Sequence, residues 1–313
     1  MIRRIYFWIL ALVLALLFTA RPVLAHDGEP HGNGEWWTYW VFNPQIILGL
    51  TAAAALYFRG WQTLKQRPGG LSALRRKQTW AFAAGMTALA ACFISPIDGL
   101  AEQLFWVHML QHVILMLAAA PLLVLSYPLP PLLLGLPERT RQSIGRIWSQ
   151  EGWLRAAWRG LSQPLVVWLL HTGLLWLWHT PGLYQASVEN ELVHALQHFS
   201  FLGSALLFWW AALHTYGASA ERRGLGILYL FTTMLQSGLL GALITFSPSV
   251  WYPVYAERAA EWGLSALEDQ QIAGLIMWIP AGIIYLAAAL YMMKTWLSSI
   301  QPDEESAPRR ELK

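Results

Sequence analysis

The chain has 313 residues, of which 56% are hydrophobic and only 12% charged, with 19 Trp and a formal net charge of +3. Apolar runs of bilayer-spanning length recur along it, which excludes an ordinary soluble domain and indicates an all-α, polytopic membrane helix bundle. The charge balance implies no nucleic-acid partner, and the single cysteine, Cys92, rules out an intramolecular disulfide or a Cys-x-x-Cys motif, leaving His and Met for soft-metal chemistry.

Arg3 and Arg4 precede an apolar run over residues 5–20, and Val23-Leu24-Ala25 offers modest side chains where a signal peptidase cuts. Residues 1–25 therefore read as a signal peptide, or as an anchor helix if they are retained. A short polar segment, 26–35, follows. Seven transmembrane helices are then expected over residues 36–58, 79–95, 104–126, 164–180, 194–213, 225–246 and 271–293, or eight with the first run kept. Together they make a membrane domain over 36–293, and the polar tail 294–313 is expected to be disordered.

Charge sets the orientation. Six basic residues from Arg59 to Lys77, five from Arg139 to Arg159, Arg222 with Arg223, and four in the tail fall on one side, against Arg258 in the other connections. The basic side is expected to be cytoplasmic, with the mature N-terminus outside and the C-terminus inside. Connection 138–160 spaces Arg139, Arg146, Arg155 and Arg159 among Ile144, Ile147, Trp148, Trp153 and Trp158, a pattern suited to a helix lying on the inner leaflet. Connection 247–270 carries Trp251, Tyr252, Pro253 and Tyr255 and is expected to form a short cap over the outer mouth.

The chemistry-bearing pattern is His-x-Leu-Gln-His, which occurs as His108-Met109-Leu110-Gln111-His112 and again as His194-Ala195-Leu196-Gln197-His198. Residues four apart share one face of a helix and lie about 6 Å apart along its axis, so each motif points two imidazoles in one direction. Both motifs open spans that run from outside to inside, and the span between them ends outside at His179. Five histidines thus share one layer near the outer face, with Met109 in the same turn as His108 and Asp98 and Asp269 at the outer ends of neighbouring spans. His171 near mid-span and His214 at an inner end read as packing or interfacial residues.

Three readings of the layer follow. The imidazoles can hydrogen-bond between helices, with Gln111 and Gln197 as partners, and serve packing alone. They can hold copper, which imidazole and thioether ligands suit. They can ligate haem b, with one axial histidine from each helix, for example His108 with His194 or His112 with His198. At the start of the mature chain, cleavage after Ala25 would expose His26, whose α-amine and imidazole together suit Cu(II), with His31 close behind; an incidental leader is the alternative.

Several motifs carry a resemblance. Trp40-Val41-Phe42-Asn43-Pro44, Tyr57-Phe58-Arg59-Gly60, Phe93-Ile94-Ser95-Pro96-Ile97-Asp98, the first histidine motif, and Glu268-Asp269-Gln270-Gln271 with Gly274, Met277 and Trp278 resemble the multi-spanning CtaG-type cytochrome c oxidase assembly factors. The resemblance covers roughly residues 36–293. It implies a bacterial plasma-membrane protein, not an enzyme, that matures a haem–copper oxidase through partnership with oxidase subunits, above all the copper-bearing second subunit. The rival functions are a membrane b-type haem protein taking electrons from quinol and a copper transporter. No Ser-His-Asp set, His-Glu-x-x-His, Walker loop or dinucleotide-binding glycine pattern is present.

Overall fold

The computed structural model describes residues 35–66, 76–150, 152–216 and 219–299. The expected signal segment, His26 and His31 lie outside the described residues. Those described form helices, turns and connections with no strand among them. In chain order the helices are α1 (Pro44–Lys65), α2 (Arg76–Phe93), α3 (Pro96–Ala101), α4 (Phe105–Leu125), α5 (Leu129–Gly135), α6 (Glu138–Gln150) and α7 (Gly152–Leu161). There follow α8 (Pro164–Trp178), α9 (Pro181–Glu189), α10 (Glu191–His214), α11 (Ala220–Phe246), α12 (Ala256–Glu261) and α13 (Ala266–Ser298).

Four of these, α4, α10, α11 and α13, are each long and apolar enough to cross a membrane, and α7 with α8 makes a fifth only if that pair, bent by 68°, is one span. On α7, Trp158 is turned into the core and Trp153 is exposed. Helices stand at all seven expected positions, but α1 and α2 do not meet the same length-and-apolarity test. The first expected span also begins too early. Residues Trp36–Thr38 form a separate 3-10 turn, and α1 starts at Pro44. Its N-cap is Asn43, whose side chain accepts from the backbone N–H of Gln45 and Ile46.

Other starts are set the same way. Ser95 caps α3 ahead of Pro96, and Ser265 and Glu268 form a reciprocal capping box on α13. The motifs that carry the family resemblance are therefore largely helix starts.

One π-helical stretch, Ile114–Ala119, interrupts α4, and a second, Ala211–Tyr216, closes α10. The first has a local cause. Pro121 has no N–H to donate up the helix, so the ladder shifts to i→i+5 bonding, as Ala120 N–H to the Leu115 carbonyl shows. The Met116 carbonyl would then pair with Pro121, which has no donor; the Trp209 indole of α10 takes it instead at 2.9 Å. One proline thus creates the bond that ties α4 to α10.

Helices in lipid have no hydrophobic drive toward one another, so close backbone approach matters more than apolar area. At the α11–α13 crossing, a Cβ built on Gly274 would collide with Thr245 Oγ1 and sit 2.7 Å from the Gly241 carbonyl oxygen. Gly282, further along α13, has nothing within 4 Å of a Cβ. Gly274→Ala is expected to destabilise the detergent-solubilised protein by about 1–3 kcal/mol through overpacking. Gly282→Ala should leave thermal unfolding unchanged or raise its midpoint, as a helix-interior Gly→Ala change does. Equal midpoints for the two variants would contradict this account of the crossing.

Candidate functional site

The site is built on the first turns of α4. Leu104 occupies the N-cap and has no side chain to cap with. The exposed N–H groups of Phe105 and Trp106 instead donate to the two carboxylate oxygens of Asp269, each at 2.9 Å, across from α13. A negative carboxylate at a helix N-terminus satisfies both orphan donors and the helix dipole together. One turn further on, the Nε2 atoms of His108 and His112 face each other at 3.1 Å.

The second pair comes from α10. Asn190 caps that helix by accepting from the Val193 N–H, and His194 and His198 bring their Nε2 atoms within 3.0 Å. The two pairs meet: the rings of His108 and His194 are 5.2 Å apart, and those of His112 and His198 are 5.0 Å apart. His108, His112 and His198 each offer a nitrogen, all within 4.8 Å of one another. The fifth histidine, His179, sits at the end of α8 with its ring 6.4 Å from that of His112 and its Nε2 3.4 Å from Met109 Sδ. The structure therefore brings together His108, His112, His194, His198, His179 and Met109.

Above the layer lies the expected cap. The Tyr255 hydroxyl hydrogen-bonds with His108 Nδ1 at 3.0 Å and lies 3.3 Å from the Ala101 carbonyl oxygen. Tyr184 on α9 completes the cluster at 3.1 Å from the Tyr255 hydroxyl, and Tyr252 donates to the His179 carbonyl. Gln270, beside Asp269, accepts from the Trp251 N–H and donates to the Ser249 carbonyl, fastening the cap to α13. This network holds the His108 ring by its Nδ1 edge and turns Nε2 toward His112. The role of Tyr184 is not legible in the sequence; its only signal is an aromatic residue just after His179.

Some expectations change. Gln111 does not partner the imidazoles: its amide donates to the Cys92 carbonyl at 2.6 Å and to Asp98 Oδ1 at 2.7 Å. Asp98 and Asp269 do reach the neighbourhood, as supports of α4. His171 pairs with Ser204 and stacks on Phe208, and His214 stacks on Trp210, in keeping with packing roles.

The donor set fits a metal ion. Two imidazole nitrogens bound at about 2.0–2.1 Å to one ion, at angles between square and tetrahedral, stand about 3–3.4 Å apart. Both intrahelical pairs fall in that interval.

Helical spans, a layer of buried histidines on two of them and a tyrosine cap define a polytopic membrane protein organised around one polar site. Within that class the chain belongs to the cytochrome c oxidase caa3 assembly factor family, Caa3_CtaG, whose profile matches residues 55–299. It is also 26% identical, over 83% of its length, to uncharacterised proteins of Mycobacterium bovis and Mycobacterium tuberculosis, and 24% identical over 86% to one of Mycobacterium leprae. The chain spans about two fifths of the length of these relatives, 39% to 41%. No solved structure matches it.

Asp98, on the short α3 outside the spans, supplies a pH test. Burial pushes its carboxyl up to about 7, with the Gln111 hydrogen bond opposing and the nearby Glu102 charge adding. A carboxyl raised in the folded state keeps its proton there while the unfolded chain has lost it, so its contribution is complete at low pH and is lost as pH rises to about 7. Thermal stability of the wild type should thus fall between pH 5 and pH 7.5 more steeply than that of Asp98→Asn. Parallel profiles would show that Asp98 does not titrate in this range.

Proposed function

We propose that the protein assists oxidase assembly by holding a copper ion on His108, His112, His194 and His198 at the outer face of the bacterial plasma membrane and passing it to the copper-bearing second subunit. Copper is cargo here. The observation that carries this reading is the meeting of two i, i+4 histidine pairs from separate helices, each with its nitrogens at ligand-pair spacing. Imidazole with a nearby thioether is a donor set copper accepts in either oxidation state. The excess of basic residues in the opposite connections supports the outer placement, the mature N-terminus outside and the C-terminus cytoplasmic.

Family membership supports a non-enzymatic role in assembly. A haem would need its flat macrocycle between two axial imidazoles. The contacts between His108 and His194 and between His112 and His198 leave little room for one, which favours an ion.

The test uses cells carrying His108→Ala, His194→Ala or both in the chromosomal copy, grown at limiting copper. Oxidase polypeptide should persist in all three while its copper content falls severely in each single variant. The double variant should add little, because ligands of one ion act as a unit. Oxidase with normal copper content, or small losses that simply add, would overturn the proposal.

A further inference from the structure

His179 and Met109 are not arranged like the other donors. His179 Nδ1 lies 2.6 Å from the Leu175 carbonyl oxygen, an atom that only accepts, so the ring proton is on Nδ1. Nε2 of the neutral ring therefore presents a lone pair, and it points at Met109 Sδ, which also presents lone pairs, 3.4 Å away. Moving the proton to Nε2 would turn the Nδ1 lone pair onto the carbonyl instead. A second proton is poorly supported, since the described neighbours of the ring, Leu175, Met109, Tyr184, Phe201, His112 and the hydroxyl bonded to its own carbonyl, carry no negative charge. Two electron-pair donors aimed at each other in a buried site call for a cation between them.

The spacing fits one. An ion about 2.0–2.1 Å from an imidazole nitrogen and about 2.3 Å from sulfur, at a near-tetrahedral angle, separates the two by about 3.4–3.6 Å. A neutral thioether beside a neutral imidazole adds no negative charge, which suits a soft monovalent ion over a hard divalent one. Met109 is wholly buried and His179 nearly so, whereas His194, at the other edge of the layer, is only partly buried. From His194 the donors run inward through His198, 5.0 Å from His112 between ring centres, to His179 at 6.4 Å.

We propose that Met109 Sδ and His179 Nε2 form a soft-cation seat at the buried end of the histidine layer, and that Cu(I) reaches it from His194 by successive ligand exchange. This rests on the proposed copper-handling role and gives the site a direction and an oxidation state. Each exchange forms one metal–ligand bond as another breaks. No electron changes hands, and each released imidazole keeps its lone pair.

The full-length protein in detergent, loaded anaerobically with Cu(I) or with the redox-inert probe Ag(I), tests the seat. X-ray absorption at the copper edge should show a sulfur neighbour in the wild type. Met109→Leu, which conserves volume, should remove it. The same change should weaken Cu(I) and Ag(I) binding by at least about tenfold, the loss expected when even an outer partner of a metal is removed, and leave Zn(II) binding within about twofold. His194→Ala should slow loading several-fold while the sulfur neighbour persists at full loading. Copper bound with nitrogen neighbours only, or a sulfur neighbour that survives Met109→Leu, would overturn the seat while leaving the four-histidine site intact. Unslowed loading of His194→Ala would overturn the direction. A wild type that binds neither Cu(I) nor Ag(I) would overturn the copper-handling reading itself, and the seat with it.

Discussion

Everything in the site hangs on the contact between the Asp269 carboxylate and the first turn of α4. An unsatisfied backbone N–H in a bilayer costs several kcal/mol, and α4 begins with a leucine that cannot cap it. Asp269 meets two such groups with two oxygens from another helix. That fixes the depth and rotation of α4, and with them the direction in which His108 and His112 point. Gln270, the next residue, holds the cap loop, so one turn of α13 positions both the wall of the site and its roof.

The other end of α4 is held by different chemistry toward the same result. Pro121 shifts the hydrogen-bond ladder into a π-helical stretch, and the Trp209 indole bonds the carbonyl that this frees. The two histidine helices are thereby tied below the layer as well as meeting within it. A histidine layer on helices that are themselves hydrogen-bonded keeps its nitrogens near ligand spacing without an ion to organise them. Under the proposed function, such a layer would bind without first ordering a loop.

Much of this was legible in the sequence, and for identifiable reasons. Apolar run length gave the helical class, and the helical period together with the in-out alternation of spans put five histidines at one depth. What spacing along a chain does not contain is the neighbour relation between helices, so only the structure shows the two pairs meeting. The expected first span takes in residues 36–42 although Asn43-Pro44, within it, is itself a helix-start signal. Gln111, expected to serve the imidazoles, turns instead to Asp98 and the Cys92 carbonyl, partners that only the packing of α2 and α3 against α4 brings within reach. Tyr184 and Tyr255 depend on how two connecting segments fold over the site, which no periodicity encodes.

The central claim is that one cation is shared by histidines from two helices. Crystals of the copper-loaded protein, measured on either side of the copper absorption edge, test it most directly. The account predicts an anomalous peak between α4 and α10, within ligand distance of imidazole nitrogens from both helices. A peak confined to one helix, a peak at neither the paired histidines nor the adjoining Met109–His179 contact, or a macrocycle occupying the layer would contradict it.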